Sequence, residues 1–240
     1  MILFTADWHI KLGQKNVPAV WAKKRYESFF NQVHDIEKEC SMHVIGGDLF
    51  DRLPTMEELE LYFSFIRKVT IPTLIYDGNH EATKKNKTFF SQLKQVSRDI
   101  NPLVHVVDFS YVDNDKGFNV LPYADLHREN SIESFNASMP LFTHVRGEIP
   151  PHVKPEVDLD RFESFPVIFA GDLHAHSNTQ RNIVYPGSPM TTSFHRNEVE
   201  TGYLLINDKD WSWMWDRFNL PQLLRKTVTS PDEMIPSEFH

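Results

Sequence analysis

Cysteine is nearly missing from this chain of 240 residues. The single Cys40 excludes an internal disulfide framework and suits a reducing compartment. Long apolar runs are missing too: none approaches the roughly 18 residues that a helical membrane span requires. The apolar start, "MILFTADWHI", runs at once into acidic and histidine residues. It lacks the basic front and small-residue cleavage site of a secretory leader, so a cytoplasmic protein is expected. Positive charge is in deficit. Lys and Arg number 25 against 33 Asp and Glu, for a net charge of −8, which argues against holding nucleic acid by bulk electrostatics alone. Two bound divalent cations would offset half of that charge and place positive charge where a phosphate would sit. Repeats and low-complexity tracts are absent.

Apolar residues make up 40% of the chain, with 18 Phe, 7 Tyr and 5 Trp, enough for the core of one large domain. Twelve histidines point to imidazole ligation or acid/base work as well as to ordinary surface positions. The first hundred residues alternate strand and helix patterns. "MILFTA", "HVIGGDLFD" and "IPTLIYDGNHE" read as strands opening into turns. Trp21, Tyr26, Phe29, Phe30, Val33 and Ile36 recur at helical spacing, and "TMEELELYFSFIRKV" is a second helix with Thr55 as N-cap and Glu58 as its capping-box partner. "NKTFFSQLKQV" is a third. After residue 100 the pattern turns to short strands: "PLVHVVDF", "GFNVLPY", "MPLFTHV", "FPVIFAGDLH", "RNIVYPGS" and "TGYLLIN". "NDKD" reads as a hairpin turn leading into "WSWMWDRF". The expected fold is α/β, a layered sandwich of two sheets with helices outside.

Five stretches share one pattern, an apolar strand followed by a sharp turn bearing metal-capable side chains. They are "ILFTADWH", "HVIGGDLFD", "TLIYDGNH", "PLFTH" and "VIFAGDLHAH". In open α/β sheets, ligands gather at the carboxyl ends of strands. The candidates are Asp7, His9, Asp48, Asn79, His80, His144, Asp172, His174 and His176. Carboxylate, amide and imidazole together suit manganese, iron or zinc, and the lack of thiolates argues against a structural zinc site. Each piece alone is weak, since a Gly-Asp after a strand is usually only a turn. Their joint occurrence at successive strand ends is what carries the inference.

The order D-x-H, G-D-x-x-D, G-N-H-E, a lone His, then G-x-x-H resembles the calcineurin-like metallophosphoesterases. "DWHIKLGQ", "GDLFDRLPT" and "YPGSPMTTSFHRNEVETGYLLI" resemble the SbcD-type nucleases of double-strand-break repair, in the compact form encoded by large phages. The Ser/Thr phosphatases of the same superfamily have Gly after the arginine of G-D-x-x-D-R, where this chain has Leu53. The resemblance implies an α-β-β-α sandwich with two mixed sheets over residues 1–218. It also implies that residues 219–240 begin, or lead to, a smaller capping domain. It further implies two divalent ions, with manganese expected. Asp48 would bridge them, Asp7, His9 and His174 would complete one site, and Asn79, His144 and Asp172 the other. His80 would be the catalytic histidine, oriented by Asp51. The family usually has G-H-x-H where this chain reads "GDLH", so Asp172 stands where a histidine is expected. An alternative alignment pairs His174 with His176.

The implied activity is exonuclease and single-strand endonuclease action on DNA, with an SbcC-like SMC-type ATPase as partner and a homodimer through the helix at 56–69. The alternatives are a phosphoesterase for a small molecule or phosphoprotein, and a binding scaffold that keeps the fold without metal. Lys84, Lys85 and Lys87 follow the G-N-H-E loop and are either a solvated helix start or a grip on the phosphate backbone. The same two readings hold for Lys11, Lys15, Lys23, Lys24 and Arg25. Trp211, Trp213 and Trp215 alternate and are expected to share one face of a strand, packing there or stacking on bases. His34, His43, His105 and His152 are expected to be structural or surface residues.

Overall fold

The structure, a computed structural model, describes residues 1–83 and 87–233, with backbone only at 87 and 88. The first half runs β1 (Ile2–Thr5), α1 (Ala19–Glu37), β2 (Met42–Gly46), α2 (Met56–Ile66), β3 (Thr73–Tyr76), α3 (Lys87–Ile100) and β4 (Val104–Val107). The second half adds β5 (Tyr111–Asp113), β6 (Phe118–Leu121), α4 (Tyr123–Leu126), β7 (Leu141–His144), β8 (Ile168–Gly171), β9 (Ile183–Val184), β10 (Gly202–Ile206) and β11 (Trp213–Arg217). They form two mixed sheets, a six-stranded one in the order β11-β10-β1-β2-β3-β4 and a five-stranded one in the order β5-β6-β7-β8-β9. β1 to β4 are parallel, as are β6 to β9, while β10, β11 and β5 pair antiparallel.

Side-chain alternation along the strands builds the layers. Leu3, Ile45 and Ile75 face the helices, where they meet Trp8, Phe29, Phe30 and Phe65. Phe4, Val44 and Leu74 face the other way, into the space between the sheets. There the Phe142 ring lies 5.5 Å from Phe4 and 5.3 Å from Phe169. A third cluster, with Leu141, Phe162 and Ile168, covers the outer face of the second sheet. Each fully buried ring contributes roughly 1.5–3 kcal/mol, which fixes the sheet spacing that the strand-end loops depend on.

The capping box at α2 forms as expected: Glu58 N donates to Thr55 Oγ1 and Thr55 N donates to Glu58 Oε2. Glu58 also accepts from Leu12 N at 2.7 Å and takes a two-pronged contact from Arg52, at 2.7 and 3.0 Å. One buried carboxylate thereby caps a helix and ties down both the β1 and β2 loops. The hairpin at Asn207–Trp211 also forms, but β11 starts only at Trp213. Trp211 sits before the strand at φ 61° and packs edge-on against Phe118, and like Trp215 it packs against the cluster between the sheets. Packing continues past residue 218, because Leu220 and Leu223 are buried. Among the described residues no helix is long and apolar enough to cross a membrane.

Candidate metal centre

The parallel strands of both sheets end at one rim. The loops after β1 and β2 continue the pairing beyond the strands: Asp7 N donates to Gly47 O at 3.1 Å, His9 N to Asp48 O at 2.9 Å and Ile10 N to Leu49 O at 2.9 Å. This forces several side chains inward at a backbone cost. Asp7, His9, Asp48 and Asp172 all adopt positive φ, at 56°, 44°, 50° and 100°. Such residues cost on the order of 1–3 kcal/mol each and persist only where their surroundings hold them. Gly47, at φ +85°, is required between them, since a Cβ there would lie 2.4 Å from His144 Nδ1.

The donor atoms converge. His9 Nε2 and His174 Nε2 are 3.1 Å apart, and His9 Nε2 is 3.6 Å from Asp48 Oδ2 and 4.0 Å from Asp7 Oδ1. On the other side of Asp48, the same Oδ2 is 3.6 Å from His144 Nε2 and 3.8 Å from His80 Nε2. His144 donates from Nδ1 to Gly46 O at 2.9 Å, which fixes the ring and turns Nε2 toward the centre. Asn79 Oδ1 stands 3.1 Å from that Nε2, and a rotated amide would instead donate to Asp48 Oδ2 at 2.8 Å.

This set fits a cation better than it fits itself. Two imidazole nitrogens 3.1 Å apart cannot both carry protons, and three carboxylates, Asp7, Asp48 and Asp172, crowd around the same buried imidazoles. Burial pushes His9 well below the usual imidazole range, helped by the neighbouring His174, and burial lowers His174 as well. Both therefore present lone pairs. Burial raises Asp7 well above the usual carboxylate range, with Asp48 and Asp172 adding to the shift. Burial works against a charged His144, but Asp48, Asp7 and Asp172 outweigh it and lift its pKa to about 9. Three overlapping groups have spacing suited to an ion: Asp7–His9–His174, His9–Asp48–His80 and Asp7–Asp48–His144.

Residues 1–143 match the calcineurin-like phosphoesterase family. The chain belongs to that family. It is 38% identical over 249 aligned residues to the protein named "Probable exonuclease subunit 1" of Escherichia phage T5, covering 99% of this chain and 75% of that one. It is 25% identical to a protein named as a phosphoesterase, 244L, of Invertebrate iridescent virus 6, over 85% of this chain and 75% of that one. The crystal structure of TT1561 of Thermus thermophilus shares the fold, with a TM-score of 0.54 at 12% identity over 90% of this chain and 97% of that one.

Within this phosphoesterase site, Asp7, His9, Asp48, Asn79, His80, His144 and His174 come together, and four neighbours behave differently from expectation. Both oxygens of Asp172 are taken by Arg146, with Nε to Oδ2 and Nη2 to Oδ1 each at 3.1 Å. Each Asp172 oxygen keeps a second lone pair, and Oδ1 lies 3.9 Å from His144 Nε2, while the backbone N–H donates to Asp7. His80 Nδ1 donates to the backbone carbonyl of Asp51 at 2.5 Å, while the Asp51 carboxylate is held by Lys11 at 2.7 Å. His176 Nδ1 donates to Tyr185 O at 2.6 Å and its ring stacks on Trp215 at 5.2 Å, so it packs the loop after β8. Arg25 is buried and donates to Thr191 Oγ1 and O, so it cannot grip a backbone phosphate. Lys84, Lys85 and the Lys87 side chain lie outside the described residues.

Sequence reasoning missed three supports. Glu81, the last residue of G-N-H-E, accepts from Asp48 N at 3.0 Å, Phe50 N at 2.9 Å and Gly78 N at 2.9 Å, locking the β2 and β3 loops together. A carboxylate directly after a strand-end histidine was its only signal. Ser188 of the "YPGSP" stretch donates to Asp7 O at 2.8 Å, and its N–H donates to His174 O. Arg146 lies two residues beyond His144, and an acid standing in a histidine position was the hint that a cation would accompany it.

Proposed function

We propose that this protein is a metal-dependent phosphodiesterase that hydrolyses DNA, as exonuclease and single-strand endonuclease, in recombination and double-strand-break repair, with manganese as its ion. The observation that carries this reading is the position of Asp48, whose Oδ2 lies 3.6 Å from both His9 Nε2 and His144 Nε2. One carboxylate thus stands between two sets of donors. In this reading Asp7, His9 and His174 would hold one ion, Asn79, His144 and Asp172 the other, and Asp48 would contribute to both. Bound there, two divalent ions supply positive charge for phosphate oxygens and lower the pKa of an attacking water.

The chain's own residues supply orientation and a proton. His80 is 34% exposed, so a substrate can reach it. Its Nδ1 donates to the Asp51 carbonyl, which orients the ring, and in this reading the imidazole passes a proton to the departing oxygen as the P–O bond breaks. Nuclease action, and a partner subunit of some kind, are supported by the name of the T5 relative, an exonuclease subunit; DNA as substrate and an SbcC-like ATPase as that partner rest on the motif resemblance. A homodimer through α2 belongs to the same reading.

The test offers the protein, with manganese, a labelled oligonucleotide, a cyclic nucleotide and an aryl phosphate. Preferential cleavage of the oligonucleotide is expected, and activity on monoesters alone overturns the reading. His80→Asn is expected to bind manganese normally and to lose turnover. An unchanged rate would remove His80 from the reaction.

A further inference from the structure

We propose that Arg146 is a substrate-binding residue that holds a phosphate oxygen of the nucleic acid beside the metal centre, with Asp172 as its anchor. The proposal rests on the nuclease reading above. It starts from register: His144 at the end of β7 pairs with Gly171 at the end of β8, so the residues just beyond them lie side by side on the rim. Asp172 uses both oxygens on Nε and Nη2 of Arg146. That fork consumes one edge of the guanidinium. Nη1 makes no hydrogen bond among the described residues, and the side chain is 39% exposed against 5% for Asp172.

The arginine is also held from behind. Its backbone N donates to Glu156 Oε1 at 2.9 Å, and Glu156 accepts from Tyr123 at 2.7 Å. Tyr185 donates to the preceding carbonyl, Val145 O, at 3.0 Å. A pure surface ion pair has no need of such support. A residue that must meet a ligand at a fixed angle does, because pre-ordering spares the entropy of fixing a long side chain on binding. Asp172 Oδ1 lies only 3.9 Å from His144 Nε2, which places the pair next to the ion-binding donors. An N–H edge presented by that pair suits a phosphate oxygen, for which arginine is the best-matched side chain.

The experiment measures binding of a labelled single-stranded oligonucleotide by fluorescence anisotropy. It uses His80→Asn protein at saturating manganese, so that no turnover intrudes. Adding Arg146→Met is expected to weaken binding about tenfold or more, the value of a charge-assisted contact. The slope of log affinity against log salt should fall by about 0.7, that of one phosphate contact on a single strand. Arg146→Lys keeps the charge without the fork and should recover only part of the loss. Should the Met variant not fold, the Lys variant alone decides. Unchanged affinity and salt slope overturn the assignment. So does a loss that disappears when manganese occupancy, measured by calorimetry, is equalised between variants. Wild-type protein that neither binds nor cleaves the oligonucleotide overturns the nuclease reading itself, which the Arg146 comparison does not touch.

Discussion

Glu81 offers the sharpest test of how the site is held. Its carboxylate is buried and accepts three backbone N–H groups, from Asp48, Phe50 and Gly78. Glu81→Ala leaves all three donors without a partner at the junction of two strained loops. Each such group costs about 1–3 kcal/mol, so the loss is at least roughly 3 kcal/mol. For a chain of this size that corresponds to a fall in melting temperature of about 6–12 °C or more. Glu81→Gln behaves differently. The amide oxygen can replace Oε2, which serves two of the donors, and only the bond to Phe50 N is lost. Burial, and then Asp48, push the Glu81 pKa up to about 7, so its charged form is itself costly and the neutral amide avoids that cost. The Gln variant should therefore lie within about 2 kcal/mol of wild type, and the Ala variant well below it. Differential scanning calorimetry in chelator reads the gap, and manganese titration should show weaker binding for Ala, because Asp48 loses its backbone anchor. Gln and Ala variants that melt together, or an Ala variant within a degree or two of wild type, would refute the view that these three bonds hold the loops.

Other expectations follow from the same geometry. In Gly78→Ala the new Cβ would lie 2.2 Å from Asp48 Oδ1 and 2.4 Å from Asp48 N, so backbone must move; about 1–3 kcal/mol of stability and most manganese affinity should be lost, and a normal isotherm would contradict this. Manganese at a hundredfold excess over its Kd should stabilise the protein by about 2.7 kcal/mol for each ion bound, a rise of roughly 5–10 °C per ion over the chelated form, and an unmoved melting curve would mean that the donors do not bind it. Glu37, deep under the first sheet, is raised by burial but lowered more by hydrogen bonds from His34 and His43, reaching about 2. Because that folded-state value is depressed from 4.5, the stabilisation is complete above about pH 4.5 and fades as pH falls toward 2. The melting gap between wild type and Glu37→Gln, both in chelator, should therefore narrow between about pH 6 and about pH 3; a constant gap would assign the effect to packing.

By itself the sequence determined the layers and most donors. Alternation at Leu3–Phe4 and Val44–Ile45 dictates two-sided strands, Thr55 and Glu58 dictate where α2 begins, and strand-end Asp, Asn and His residues mark one rim, because parallel strands must all finish on the same side. These are local or periodic facts, legible one segment at a time. The tertiary structure alone decided the pairings across distant loops. It gave Asp172 to Arg146 and the Asp51 carboxylate to Lys11, placed His176 against Trp215, and made Glu81 the clamp under Asp48. Which of several neighbouring charges meet depends on sheet register and on the left-handed backbone at Asp7, Asp48 and Asp172, and no periodicity in the chain records either.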